Sequence, residues 1–141
     1  MLVDTEGHLL AVVVLPANVS DREGALLLLE LYAARYPRLV LLWGDSHYGG
    51  DFGAEVQARF GIRVVAVNKT ARQAGFVPLP RRWVVERSLG WLTHCRRLAR
   101  DYEREPTYSE AWVCLAETHR LLKHLAPDTS LPVPYQRRAA A

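Results

Sequence analysis

The sequence predicts an α/β domain with some parallel strand pairing. Two observations carry that expectation: β-branched apolar runs alternate with amphipathic helical stretches, and the order reads strand, helix, strand, helix, strand and two helices. The chain has 141 residues, 50% of them hydrophobic, which suffices for one sizeable core in a single domain. No repeat of solenoid length is present.

Taken in order, Met1-Leu2-Val3 resembles the end of a strand, Asp4 to Gly7 a turn, and His8 to Leu15 a second strand closed by Pro16. The first arm of that hairpin is nearly absent. Asn18 or Ser20 can cap a helix from about Asp21 to Tyr36, apolar at Ala25, Leu28, Leu29, Tyr32 and Ala33 and ended by Pro37. Leu39 to Trp43 is a continuous apolar run, as expected for a strand buried on both faces. It stops at Gly44-Asp45, in a polar loop with Tyr48-Gly49-Gly50. A helix fits Phe52 to Phe60, and Ile62 to Val67 reads as the next strand. Lys69 to Pro80 reads as a loop. An arginine-rich helix then runs from about Arg81 to Leu98, followed by an amphipathic helix from about Ser109 to Leu125. The segment 127–141 is rich in proline and closes in alanines, which predicts a disordered tail.

A net charge of +3 is too small to make the whole molecule a polyanion binder. The basic residues are concentrated instead at 81–104 and at Arg137-Arg138. Cys95 and Cys114 have no zinc spacing and fit predicted apolar helix faces, so reduced, buried thiols are expected. The N-terminus has no secretory pattern, and the run Leu9 to Leu15 is too short to cross a bilayer. A soluble cytoplasmic protein with no membrane partner is the expectation.

Wound at 3.6 residues per turn, the arginine-rich helix separates two faces. Val84, Val85, Leu89, Trp91, Leu92, Cys95 and Leu98 make one broad apolar face. Arg82, Glu86, Thr93, Arg97 and Arg100 make a narrow stripe opposite. One carboxylate in a basic stripe suits a site that handles phosphate and binds a metal. Its candidate partner is Asp45, at the end of an apolar strand where open α/β sheets bind ligands. Two carboxylates so placed can hold Mg²⁺ for phosphoryl transfer. Simpler readings stand beside these: Asp45 as a solvated turn residue, and Glu86 in an exposed i, i+4 ion pair with Arg82. Arg81, Arg82, Arg87, Arg96, Arg97 and Arg100, with Lys69, are candidate phosphate grips for DNA. His47 could assist proton transfer, although a loop histidine without a role is the better expectation. Trp43, Trp83, Trp91 and Trp112 fit core or edge positions better than base-stacking ones. Neither a glycine-rich phosphate loop nor a serine nucleophile elbow occurs.

Leu41 through Gly50 resembles the second-aspartate segment of DDE-class insertion-sequence transposases, the IS-five-type group. Pro80 through Leu92 is similar to that group's glutamate helix. Cys95 to Leu98, Arg100 to Glu103 and Ser109 to Ala111 continue the likeness. Leu2 to Thr5, the run to Val14, Pro16 to Asn18 and Asp21-Arg22 resemble the hairpin that follows the first aspartate's strand. The resemblance covers about residues 2–126.

It implies a ribonuclease-H-like mixed sheet with flanking helices, and DNA cleavage and strand transfer with two Mg²⁺ (or Mn²⁺) ions held by Asp, Asp and Glu. Asp45 is then the second aspartate and Glu86 the glutamate. Arg82 matches an arginine of the family's helix, whereas Thr93 stands where a basic residue is expected, with His94 or Arg97 as substitutes. The first aspartate has no match, because Asp4 falls at a non-catalytic position. The resemblance therefore implies an N-terminally truncated, catalytically incomplete catalytic domain over 1–126, with the first catalytic strand missing. Its partners would be DNA (transposon ends and target), an upstream transposase polypeptide supplying the first aspartate, and a second copy in a homodimer. The alternatives are a non-catalytic DNA-binding remnant, and an unrelated α/β protein with a salt-bridged helix.

Overall fold

A computed structural model describes residues 1–67 and 83–126. The strands come in two pairs. Leu2–Val3 (β1) and Leu9–Ala11 (β2) form an antiparallel hairpin, and Leu41–Gly44 (β3) and Arg63–Ala66 (β4) run parallel. Among the described residues the pairs share no ladder, so two small sheets stand where one mixed sheet was expected.

β2 is much shorter than the expected strand from His8 to Leu15, because β1 offers it only two residues. Beyond it the backbone finds other partners. The Leu10 carbonyl accepts the Tyr36 hydroxyl, and the Val14 N–H donates to Glu110 Oε1 at 2.9 Å. Buried peptide groups need such partners wherever a ladder stops.

The first helix, Asp21–Tyr32 (α1), opens with a capping box. Ser20 accepts the Glu23 N–H, and Glu23 accepts the Ser20 N–H at 2.9 Å. The turn that was expected to continue the helix tightens into a 3-10 turn, Ala33–Arg35, ahead of Pro37. The second helix, Asp51–Phe60 (α2), ends at Gly61, whose φ of +69° is the left-handed cap conformation. Leu29, Phe52, Val56 and Ile62 form the core, and Ala25, Leu42 and Val64 pack on it. Both helices therefore cover one face of β3–β4. On the other face Val65 is exposed, as is Val40 just before β3, so β3 is half-buried rather than buried on both faces.

The arginine-rich helix, Trp83–Thr93 (α3), stops at Thr93 rather than Leu98. The Thr93 hydroxyl donates to the Gly90 carbonyl at 2.7 Å, and the His94 and Cys95 N–H groups close tight turns on Trp91 and Leu92. Glycine weakens the helix at that point, and the hydroxyl competes for a helical acceptor. The last helix, Pro106–Leu125 (α4), starts before the expected Ser109, with proline in its first turn, where no N–H is needed. No helix among the described residues is long and apolar enough to cross a membrane. The expected loop from Lys69 to Pro80 and the expected tail lie outside the described residues.

Candidate active site

Asp45 directly follows β3. Its Oδ1 accepts the His47 N–H at 2.9 Å, so the carboxylate caps the turn Ser46–Tyr48, and His47 Nδ1 lies 3.3 Å from the same oxygen. Gly44 is required beside it, since a Cβ there would stand 2.7 Å from Cδ2 of Tyr48. Burial raises the Tyr48 phenol above its ordinary value, and the charges of Asp21 and Asp45 raise it further. Asp21 thus belongs to the same electrostatic neighbourhood. Arg22 Nε donates to the His47 carbonyl at 2.6 Å and ties the start of α1 to the Asp45 loop.

Glu86 arrives from α3, which the hairpin holds in place. The buried Ser88 hydroxyl donates to the Gly7 carbonyl at 2.7 Å, with the Val84 carbonyl 3.0 Å away. Gly7 has φ +86°, and a Cβ on it would come within 2.7 Å of Ser88 Oγ. Next to Ser88, the Arg87 guanidinium lies 4.4 Å from the Trp83 ring centre and 4.6 Å from that of Trp91. It also donates to the Glu6 carbonyl at 2.6 Å. Arg120 of α4 covers Trp91 at 4.2 Å, extending the cation–π stack to a second helix.

These two supports bring Asp45 and Glu86 to one cleft of about 590 Å³, between the hairpin and the parallel pair. Leu2, Asp21, Trp43 and Val85 line it with them. Sequence reading gives Asp21 no site role, placing it at the start of a helix and in the family-like segment with Arg22. The signal was available, because a helix capped at Ser20 starts close to the end of a neighbouring strand. Among the described residues no three His, Cys, Asp or Glu side chains gather as a ready metal cluster. Asp45 and Glu86 nonetheless offer the hard oxygen donors that Mg²⁺ takes, and one or two carboxylates are its usual protein share.

The expected basic stripe is not assembled on one helix, since the chain leaves α3 before Arg96 and Arg97. Arg97 pairs with Glu103 and lies 5.2 Å from the Trp112 ring centre. Arg96 and Arg100 are exposed, Arg100 at 5.8 Å from the Tyr102 ring centre. Arg81, Arg82 and Lys69 lie outside the described residues. The apolar face also differs: α3 buries Val84 and Ser88, while Leu89 is 50% exposed. Cys114 is exposed on α4, and Cys95 lies in the turn after α3. Glu117 is a buried acid that sequence reading passed over. It is 6% exposed and accepts the Leu9 N–H at 3.3 Å and Arg120 Nε at 2.7 Å. The Arg120 bond is the largest reason its carboxyl sits below the usual range.

Residues 1–116 match the family model described as a transposase DDE domain. No curated protein and no solved structure matches the chain.

Proposed function

The chain belongs to the family of transposase DDE domains, and on that premise we propose that it serves DNA transposition through Asp45 and Glu86. The observation that carries this reading is their meeting at one cleft, from a strand end and from a helix latched to the hairpin. Each residue has a distinct support, so the pair is held from both walls. A divalent ion, Mg²⁺ or Mn²⁺, held there would neutralise charge at the scissile phosphate. Asp45 would hold such an ion together with Glu86, while its Oδ1 keeps the bond from the His47 N–H. Exposed Arg96 and Arg100 offer phosphate contacts outside the cleft.

Asp21 lines the same cleft, but it does not gather with Asp45 and Glu86 into a three-carboxylate cluster, so the pair is one fewer than the DDE chemistry uses. We therefore assign the third to a strand of the family's domain that residues 1–141 do not include. The cleft separates β1 from β3, and a strand in it would have an edge of each sheet to pair with. On this reading residues 1–141 by themselves bind metal and need that strand for cleavage.

Mn²⁺ binding and DNA nicking test the two parts separately. Asp45→Asn and Glu86→Gln should each weaken Mn²⁺ by ~10-fold or more, the loss of one charged ligand. Unchanged affinity in both variants would remove the site. Nicking of transposon-end DNA by the chain alone, abolished by Glu86→Gln, would keep the site and remove the need for a third carboxylate.

A further inference from the structure

The cleft is acidic. Asp21, Asp45 and Glu86 line it, and among the described residues no lysine or arginine side chain does. A cationic side chain at such a place would be held by the acids, whereas a neutral hydroxyl stays available to an incoming oxygen. Two hydroxyl side chains of the described residues line the cleft, those of Ser20 and Tyr48. Ser20 is committed to the capping box of α1, where its hydroxyl donates to Glu23 Oε2 at 2.8 Å.

Tyr48 is fixed through its backbone and its ring. The 3-10 turn Ser46–Tyr48 follows Asp45, and the Tyr48 N–H donates to the Asp45 carbonyl at 3.1 Å. Such a turn returns to the same side after three residues, which brings Tyr48 back over the end of β3. There its side chain lies on Gly44, where a Cβ would stand 2.7 Å from Cδ2, and its ring meets Phe52 edge to face. Neither contact uses the hydroxyl, and phenylalanine would pack there as well. Asp21 and Asp45 are both close enough to the hydroxyl for their charges to act on it. We propose that Tyr48 orients the substrate in this cleft, its hydroxyl donating to a non-bridging oxygen of the phosphodiester that an ion at Asp45 and Glu86 draws in. This rests on the reading of those two carboxylates as metal ligands. The ion neutralises charge on the phosphate but leaves its rotation about the metal–oxygen direction open. A second, directed contact from a rigid ring removes that freedom. Donation to an anionic oxygen is also the stronger class of hydrogen bond.

The probe is thymidylyl-thymidine, a plain phosphodiester, added to the full chain with Mn²⁺ bound and followed by the paramagnetic relaxation of its phosphorus resonance. Tyr48→Phe keeps the ring on Gly44 and Phe52 and removes only the hydroxyl. It should leave Mn²⁺ affinity within about 2-fold and weaken the phosphodiester ~10-fold, the usual size of one hydrogen bond to a charged group. Tyr36→Phe is the control for folding, because the Tyr36 hydroxyl serves the Leu10 carbonyl. It should lower stability and leave phosphodiester affinity unchanged. Intact Mn²⁺ binding with equal phosphodiester affinity in Tyr48→Phe and the wild type overturns the proposal and leaves the Asp45–Glu86 site standing. An equal loss in Tyr36→Phe overturns it too, since general loosening would then explain the effect. So does a matching loss of Mn²⁺ affinity in Tyr48→Phe, which would mean that the hydroxyl acts on the ion's ligands and not on the phosphate. A wild-type chain that binds no Mn²⁺ removes the metal site and this role together.

Discussion

Asp45 and Glu86 stand on supports of opposite chemistry. The Asp45 side, α1 and α2 over β3–β4, is held by an apolar core centred on Val56, which is 0% exposed. The Glu86 side, α3 and α4 around the hairpin, is held by directed contacts. These are Ser88 on the Gly7 carbonyl, Arg87 between two indoles, Arg120 over Trp91, and Glu117 on the Leu9 N–H. Apolar burial is non-directional and involves no protonation step. Hydrogen bonds and ion pairs are directional and depend on protonation. One carboxylate thus rests mainly on a core without titrating groups, its ion pairs being exposed ones of Arg59, and the other on a latch that includes the buried acid Glu117.

The largest effect should come from emptying the apolar side. Phe52 packs edge to face on Tyr48 with ring centres 5.3 Å apart, and it touches the core that carries the Asp45 loop. Phe52→Ala is expected to destabilise the fold by about 3–5 kcal/mol, through lost transfer energy and the cavity left behind. Urea unfolding at constant pH measures it. A loss below about 1 kcal/mol would erase the distinction between the two supports, because directed bonds would then match the core.

The latch should yield to acid first. The Glu117 carboxyl is lowered by its bond from Arg120, against burial, with help from the Leu9 N–H. Burial raises Asp4 in the hairpin turn, but bonds from His8 and the Glu6 N–H outweigh it and leave Asp4 lowered as well. A carboxyl depressed in the folded state stabilises the fold above its unfolded value. That contribution fades as pH falls below about 4, the ordinary carboxylate range, toward the folded value. Backbone amides of α3 and α4 should therefore lose hydrogen-exchange protection at a higher pH than those of α1 and α2. Glu117→Gln should cost about 1–3 kcal/mol at pH 7 and flatten that acid dependence. Coincident acid transitions of both halves in the wild-type chain would show one cooperative unit instead.

The difference between the supports also explains what could be read from the sequence. Helix α2 and strands β3 and β4 are local patterns: apolar runs, a terminal glycine, a helical period. They fell close to the expected bounds, and Asp45 was found at the end of β3. The extent of α3 was not legible. Its apolar and basic periodicity continues past Thr93, but the Gly90–Thr93 contact and the cation–π stack with Arg120 redirect the chain. Arg87, counted among the DNA grips, is held between Trp83 and Trp91 by contacts that no spacing rule displays. Ser88 and Glu117 carry no local signal of their burial, because their partners, Gly7 and Leu9, lie far away in sequence. The amphipathicity of α4 was visible, but which of its sides packs depends on the hairpin.

The smallest predicted effect probes the latch at its centre. Ser88→Ala removes one hydroxyl and leaves the buried Gly7 carbonyl without its donor, a loss of about 1 kcal/mol. Global unfolding should barely register it beside Phe52→Ala. Its effect on the cleft should be larger in proportion, because Ser88 is a positioning residue: it fixes α3 against the hairpin, and α3 carries Glu86. Mn²⁺ affinity should fall several-fold while the Asp45 loop, followed by its backbone amide resonances, stays unchanged. Ser88→Thr keeps a hydroxyl at that point and should restore most of the affinity. If Ser88→Ala lowers stability and leaves Mn²⁺ affinity intact, the hairpin latch serves folding alone, and another contact of α3 sets the position of Glu86.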